Sequence, residues 1–79
     1  MRVQVLVRLK SGVLDVQGKA VENGIKSIGV EGVSGVRVGK LIELDLPGSD
    51  LAAVRPQVEI LCERLLVNPI IETYEIKAA

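Results

Sequence analysis

The most regular pattern in this sequence is the alternation over residues 36–46, VRVGKLIELDL. One parity carries apolar side chains (Val36, Val38, Ile42, Leu44, Leu46), and most of the other is polar or glycine (Arg37, Gly39, Glu43, Asp45). Alternation with a period of two is typical of a β-strand with one buried face. Lys40 is the one charge in the apolar row. The pattern therefore predicts an unusually long strand.

The dipeptide Gly39-Lys40 raises the alternative of a two-residue hairpin turn. In a hairpin, Val38 would lie opposite Leu41, and Glu43 and Asp45 would then follow onto the buried face. Because that arrangement buries two charges, the sequence favours one strand that continues through the dipeptide. A bend or bulge at Gly39 is compatible with it, since glycine permits unusual backbone dihedrals.

Such a strand is long for a chain of 79 residues. Eleven residues span roughly 36 Å at about 3.3 Å per residue, whereas a compact domain of this length has a radius of gyration of about 12 Å. The strand is expected to project beyond its own domain and to offer a free edge to another chain. From this we predict self-association, as a dimer or a tetramer.

Composition limits the classes of protein that this chain can be. There is one Tyr and no Phe or Trp, so the core must be built from Val, Leu and Ile, and the formal net charge is zero. A neutral chain without stacking aromatics is not typical of a nucleic-acid-binding protein. No apolar run is long enough for a membrane span, and no secretory signal precedes the first strand pattern. We expect a cytoplasmic protein that binds neither nucleic acid nor membrane.

The remaining elements follow from periodicity and capping signals, and predict a single domain over residues 1–79. A strand is expected at residues 2–10, a helix at 16–28 capped by Asp15 and ended by Gly29, a second helix from about Ala53, and a last strand at 70–77. The first helix carries an apolar stripe (Ala20, Val21, Gly24, Ile25, Ile28), and so does the second (Leu51, Val54, Val58, Leu61, Leu65). In the last strand, Ile70, Tyr74 and Ile76 are expected to face the core, with Glu72 at its rim.

This order indicates an α+β fold related to the ferredoxin-like β-α-β(β)-α-β sandwich. Its antiparallel sheet would be covered by two helices on one face, with residues 36–46 as a long central strand shared in an oligomer.

The sequence offers little equipment for catalysis. It has no His, and its one Cys, Cys62, falls within the apolar stripe of the second helix, so neither Cys-His catalysis nor a zinc site is expected. Residues 35–41 lack the spacing and the Ser or Thr of a phosphate-binding loop. The strand carboxylates are explained as well by solvated strand faces as by acid-base chemistry.

Three stretches resemble one known family. They are residues 10–21 (KSGVLDVQGKAV), 36–44 (VRVGKLIEL) and 65–76 (LLVNPIIETYEI), which together run nearly the length of the chain in order. On these motifs the chain is similar to the PurS family, the small subunits of phosphoribosylformylglycinamidine synthase. One departure is Val16, where the family usually has a proline, which is favoured at the first helical position.

The resemblance implies a role in de novo purine synthesis. A large ATP-dependent synthetase subunit and a glutaminase subunit convert formylglycinamide ribonucleotide, glutamine and ATP to formylglycinamidine ribonucleotide, and the small subunit is required to assemble them so that ammonia passes between them. The implied small subunit is not the catalyst and needs no cofactor of its own, since ATP, magnesium and glutamine are used by its partners. The candidate subunit contacts carried over from the motifs are Arg37, Gly39, Lys40, Asn68, Pro69, Glu72 and Tyr74.

Two other functions are compatible with the residues. One is a small-molecule-sensing module of ferredoxin-like shape, which binds an amino acid or a nucleotide between protomers. The other is a free-standing enzyme, which the absence of a nucleophile or metal cluster disfavours. Each candidate contact also has a structural explanation: Gly39 relieves a bulge, Asn68-Pro69 ends a helix, and Tyr74 fills the core.

Overall fold

The computed structural model describes residues 1–79 as a three-stranded antiparallel sheet with two helices, which confirms the α+β class. The elements in chain order are β1 (Arg2–Leu9), α1 (Val16–Ser27), β2 (Lys40–Asp45), α2 (Leu51–Leu61), a π-helical turn (Cys62–Leu66) and β3 (Glu72–Ala78). The strand order is β2-β1-β3. Neither helix has the length and apolar character that a bilayer crossing requires.

The patterned stretch forms β2, and its predicted face is confirmed while its length and place are not. Ile42 lies opposite Val5 and Leu44 opposite Val3, both toward the core, and no turn reverses the chain at residues 39 and 40. However, β2 covers only six residues and lies at the edge of the sheet, so the prediction of a long central strand was wrong. The central strand is β1, because it pairs with both neighbours.

Residues 36–39 are not part of the sheet, and the α1 region contacts this stretch at Val36 and Val38. The backbone N–H of Val38 donates to the Asp15 carboxylate at 2.7 Å, where a strand would direct it to a neighbouring carbonyl. The alternation over residues 36–46 thus reflects an extended backbone. Only the second half of that stretch pairs with a neighbouring strand.

The core lies between one sheet face and α2. Val3, Val5 and Val7 of β1 are fully covered, and the α2 side contributes Val58 and Cys62, which confirms Cys62 as a core residue. Burying each such aliphatic side chain stabilises the fold by about 1.5–3 kcal/mol. All eight buried apolar residues lie within residues 3–7 or 54–76 (Val3, Val5, Val7, Val54, Val58, Cys62, Val67, Ile76).

Helix α1 begins and ends as predicted, but it does not cover the sheet. Asp15 caps it, and Gly29 after it has a φ of 88°, which favours glycine. Its apolar stripe is largely exposed at Val21 and Ile28, and its buried positions are Gly18 and Glu22 on another side. The prediction of two helices on one sheet face was therefore wrong. The chain is elongated, with extents of 48 × 25 × 15 Å and a radius of gyration of 15.8 Å.

Helix α2 differs from its prediction at both ends. It begins at Leu51, two residues earlier than predicted, because Asp50 accepts the backbone N–H of Ala52 at 3.1 Å, and Pro56 is tolerated inside the helix. At the other end, the Val67 N–H donates to the Cys62 carbonyl at 3.0 Å, five residues back. This wider turn adds a residue, so Val67 returns to the core and Leu65, which the stripe had placed there, is 76% exposed.

Strand β3 begins two residues later than predicted. The N–H groups of Ile71 and Glu72 both donate to the Asn68 carbonyl, at 3.2 and 2.8 Å, which makes residues 68–71 a turn. Ile76 is buried and Tyr74 is half-buried, as expected. Ile70 is exposed instead of facing the core, because it lies in the turn.

Candidate functional site

The two motifs that hold the candidate contacts meet at one end of the sheet. Val7 of β1 pairs with Lys40 of β2 on one side and with Tyr74 of β3 on the other, and Leu9 pairs with Glu72. The Lys40 ammonium lies 3.7 Å from a Glu72 carboxylate oxygen. The structure therefore brings Lys40, Glu72 and Tyr74 together across the end of the central strand.

This geometry explains the one charge in the apolar row of β2. Lys40 is on the same sheet face as Ile42 and Leu44, but it is the first residue of the strand and lies opposite Val7, the last of the buried valines of β1. Its side chain stays about half exposed, and the more buried Glu72 supplies the opposite charge. Burying Lys40 is thus avoided, and its ammonium is left accessible at the sheet end.

Glu72 also connects β3 to the turn before it. Its second carboxylate oxygen accepts the Asn68 N–H at 2.7 Å, and the Asn68 side-chain oxygen accepts the Ile70 N–H at 3.1 Å. The Pro69 carbonyl accepts a hydrogen bond from the Lys10 ammonium at 2.8 Å. Asn68, Pro69 and Glu72 therefore form one hydrogen-bonded turn, anchored on the residue that follows β1.

Tyr74 lines a shallow hollow of about 310 Å³ beside this turn. Burial raises the pKa of its hydroxyl, with smaller contributions from Cys62 and Glu63. Burial likewise raises the pKa of the Cys62 thiol, and the charges of Glu59 and Glu63 add to the effect. A thiol shifted in this direction is a poor nucleophile near neutral pH, so this hollow has no activated cysteine.

Arg37 and Gly39 lie on the other side of β1, and both have internal contacts. The Arg37 guanidinium donates to the carbonyls of Val13 at 2.9 Å and Lys10 at 3.0 Å, so it ties down the loop before α1. A Cβ on Gly39 would collide with the Val7 carbonyl oxygen, which explains the glycine without any unusual dihedral. Together with Lys40 they line a hollow of about 400 Å³ at the edge of β1.

Two acidic residues of the α1 region hold this segment in place, and the sequence analysis missed that role for both. The buried Asp15 carboxylate accepts the N–H groups of Gly18 and Val38, both at 2.7 Å. These two backbone hydrogen bonds lower the pKa of Asp15, and the positive charge of Arg37, whose Nε lies 4.0 Å away, lowers it further.

Glu22 makes a second connection two helical turns later. Its carboxylate accepts the N–H of Gly35 at 2.9 Å and the ammonium of Lys19 at 3.0 Å. The Lys19 hydrogen bond is the largest cause of the lowered pKa of Glu22, and Lys26 at 3.8 Å contributes a smaller lowering through its charge. Glu22 is buried, as is Gly18 on the same helix, and no pattern in the sequence pointed to its contact with Gly35.

The side chains at this end of the sheet are mainly polar groups that can make hydrogen bonds and ion pairs. No three His, Cys, Asp or Glu side chains lie close enough together to hold a metal ion. The functional groups at the sheet end are a half-exposed ammonium, a guanidinium and amide and carboxylate groups that already bond the backbone.

Comparison with known proteins decides the family. The family model described as PurS, phosphoribosylformylglycinamidine (FGAM) synthase, matches residues 2–79. The chain belongs to the PurS family. Among PurS proteins, it is 44% identical over 71 residues to the PurS subunit of phosphoribosylformylglycinamidine synthase from Synechocystis sp., a match that covers 90% of this chain and 71% of the relative.

Solved PurS structures have the same fold. The structure of Methanocaldococcus jannaschii PurS superimposes with a TM-score of 0.85 at 33% identity, covering 96% of this chain and 92% of the other. A chain in the structure of PurLQS from Thermotoga maritima also gives 0.85, at 31% identity, with 96% and 93% covered. The resemblance stated from the motifs is thus confirmed, and the alternative of a small-molecule-sensing module is not supported.

Proposed function

We propose that this chain acts as a non-catalytic subunit of phosphoribosylformylglycinamidine synthase, which joins the glutaminase and synthetase subunits so that ammonia passes between them. The observation that carries the proposal is the end-to-end similarity to a chain of the T. maritima PurLQS structure. In this proposal ATP, magnesium and glutamine are used by the partner subunits in the cytoplasm, and this subunit holds no cofactor.

The shape of the chain supports self-association into a dimer or tetramer. Apolar side chains of α1 and its C-cap are largely exposed at Val16, Val21 and Ile28, and the chain is extended beyond the size of a compact domain. Small domains with a thin core commonly gain stability by association.

The sheet end supports a role in contact with a partner subunit. Lys40 and Glu72 join the two motifs there, and Lys40 keeps an exposed ammonium. The Lys40 side chain is 54% exposed and that of Glu72 15%, so solvent screens the pair in part and its contribution to folding is about 1 kcal/mol. We infer that the charge matters more for assembly than for stability.

The substitution Lys40→Glu tests this inference, with Lys77→Glu as a matched control. The two lysines are 54% and 53% exposed, and each lies 3.7 Å from one glutamate, but Lys77 lies outside the motifs at residues 36–44 and 65–76 that hold the candidate contacts. The measurement titrates the chain into a fixed mixture of glutaminase and synthetase subunits and follows glutamine-dependent amidination. Lys40→Glu is expected to raise the midpoint about tenfold, which corresponds to losing about 1.4 kcal/mol of binding, and Lys77→Glu to change it less than about twofold.

Urea unfolding of the same proteins supplies the second half of the test. Both variants are expected to lose about 1 kcal/mol or less of unfolding free energy. Equal losses in assembly and folding for Lys40→Glu would contradict the role assigned to Lys40. A wild-type chain that leaves the activity of the other two subunits unchanged would contradict the proposed function itself.

A further inference from the structure

Helix α1 and residues 35–38 are held side by side by backbone N–H groups of residues 35–38, which donate hydrogen bonds to side chains of the helix and its cap. Asp15 accepts the Val38 N–H at 2.7 Å, and Glu22 accepts the Gly35 N–H at 2.9 Å. The sheet takes no part in these bonds. The position of residues 35–38 is therefore set by α1, although these residues lead directly into β2.

The spacing of the two bonds fits the two kinds of backbone. Asp15 and Glu22 are seven residues apart, which is about 10.5 Å along a helix. Gly35 and Val38 are three residues apart, which is about 10 Å of extended chain. Because the two lengths agree, both carboxylates reach their amides at once.

Gly18 permits this close approach. It is buried, and a Cβ there would collide with the Val36 carbonyl oxygen and with the Asp15 carboxylate. Gly24, in the same helix, has no atom within 4 Å of where its Cβ would lie. The close approach of residues 35–38, together with the Asp15 carboxylate, thus explains the glycine at position 18.

A comparison of the two helix caps shows that Asp15 does more than cap α1. Asp50 caps α2 with one hydrogen bond, to the Ala52 N–H, and is exposed. Asp15 is buried and uses both carboxylate oxygens, one on its own helix and one on Val38. Only a carboxylate supplies two such acceptors, since an asparagine has one side-chain oxygen.

We propose that Asp15, Gly18 and Glu22 form a latch that positions the contact segment with Arg37 and Lys40 before a partner subunit binds. This inference rests on the proposed function, and these three are positioning residues, since none of them is itself a candidate contact. If a partner binds only the latched form, its apparent affinity is its intrinsic affinity multiplied by the fraction of chains that are latched.

The test opens the latch with Gly18→Ala and uses Gly24→Ala as the control. Amide hydrogen exchange at Val38 and Gly35 reports the latch, and the titration of glutaminase and synthetase subunits reports assembly. Gly18→Ala is expected to speed exchange at both amides by 10- to 100-fold and to raise the titration midpoint by the same factor. The plateau of activity is expected to stay unchanged, because saturating chain restores the complex. Gly24→Ala is expected to leave both measurements within about twofold of wild type.

A second variant covers the case in which Gly18→Ala disrupts α1. Asp15→Asn keeps the cap but loses the second acceptor, and losing a hydrogen bond to a charged group is expected to speed Val38 exchange by roughly tenfold or more. Asp50→Asn keeps its single acceptor and is the control, with no change expected at Val38.

The outcomes separate the latch from the proposed function. If exchange at Val38 is unchanged in both Gly18→Ala and Asp15→Asn, there is no latch. If exchange rises while the midpoint stays at its wild-type value, the latch does not position the contact segment. If the wild-type chain itself produces no titration, the proposed function fails, and the exchange data still decide whether the latch exists.

Discussion

Each half of this molecule is stabilised by a different kind of interaction. The sheet and α2 are joined by eight buried apolar residues, all of which lie within residues 3–7 or 54–76. The region of residues 15–38, which we call the α1 arm, contributes none of them and is held by carboxylates that accept backbone N–H groups. Burial of apolar side chains stabilises the first half, whereas the hydrogen bonds fix the shape of the arm and leave its apolar side chains largely exposed.

The largest expected difference between the halves concerns the same substitution on each helix. Val58→Ala removes a fully buried side chain and is expected to cost about 2–3 kcal/mol of unfolding free energy. Val21→Ala, on the 47% exposed stripe of α1, is expected to cost about 0.5 kcal/mol or less. Urea unfolding in dilute solution measures both.

Protein concentration sharpens this comparison. If a second copy covers α1, the cost of Val21→Ala will grow as the concentration rises, while that of Val58→Ala will not. Equal costs for the two substitutions in dilute monomer would contradict the division into halves.

The next largest difference between the halves is expected at low pH. The pKa values of Asp15 and Glu22 are lowered in the fold, the first mainly by its backbone hydrogen bonds and the second mainly by Lys19. Because a lowered carboxyl pKa stabilises the fold above the ordinary carboxyl range, that contribution is complete above about pH 5 and is lost as the pH falls below about 4.

NMR shifts of the backbone amides between pH 7 and pH 2 test this expectation. The amides of Gly35 and Val38 are expected to move toward unfolded values at a higher pH than those of Ile42 and Leu44, which lie in the sheet. Asp15→Asn should remove the transition at Val38. A single transition shared by all four amides would show that arm and sheet are one cooperative unit.

The smallest expected effect tests the boundary of the buried half. Leu65→Ala is expected to change the unfolding free energy by about 0.5 kcal/mol or less, because the π-helical turn leaves that side chain 76% exposed. Val67→Ala, two residues later and buried, is expected to cost about 2 kcal/mol. Urea titrations of the pair measure the difference, and a larger cost at position 65 would place Leu65 in the core after all.

Local sequence signals predicted the parts of this fold that depend on local physics. Alternation identified the buried face of β2, and side chains with well-known conformational roles marked the start of α1 at Asp15 and its end at Gly29. The π-helical turn escaped prediction because Leu65 fits an ordinary helical stripe as well as Val58 does. Whether residues 36–39 joined the sheet could not be read from alternation, since extended chain has the same period wherever it lies.

The candidate site was predictable to the same extent. Lys40 was singled out as a charge in an apolar row, and the structure gives it a counter-charge from Glu72, in the other motif. The second partners of Asp15 and Glu22 are 23 and 13 residues away in the sequence, and no local pattern points to them. The contacts of Arg37, Lys40 and Tyr74 with another subunit remain predictions.

The bonds from α1 to Gly35 and Val38 have a consequence for the intervening loop, residues 28–34. Both ends of that loop are fixed by the same helix, so the path between them has no influence on where β2 begins. Insertions or deletions in this loop would change the surface of the protein, while Arg37 and Lys40 keep their positions. We therefore expect this loop to tolerate changes of length better than the spacing between positions 15 and 22 does.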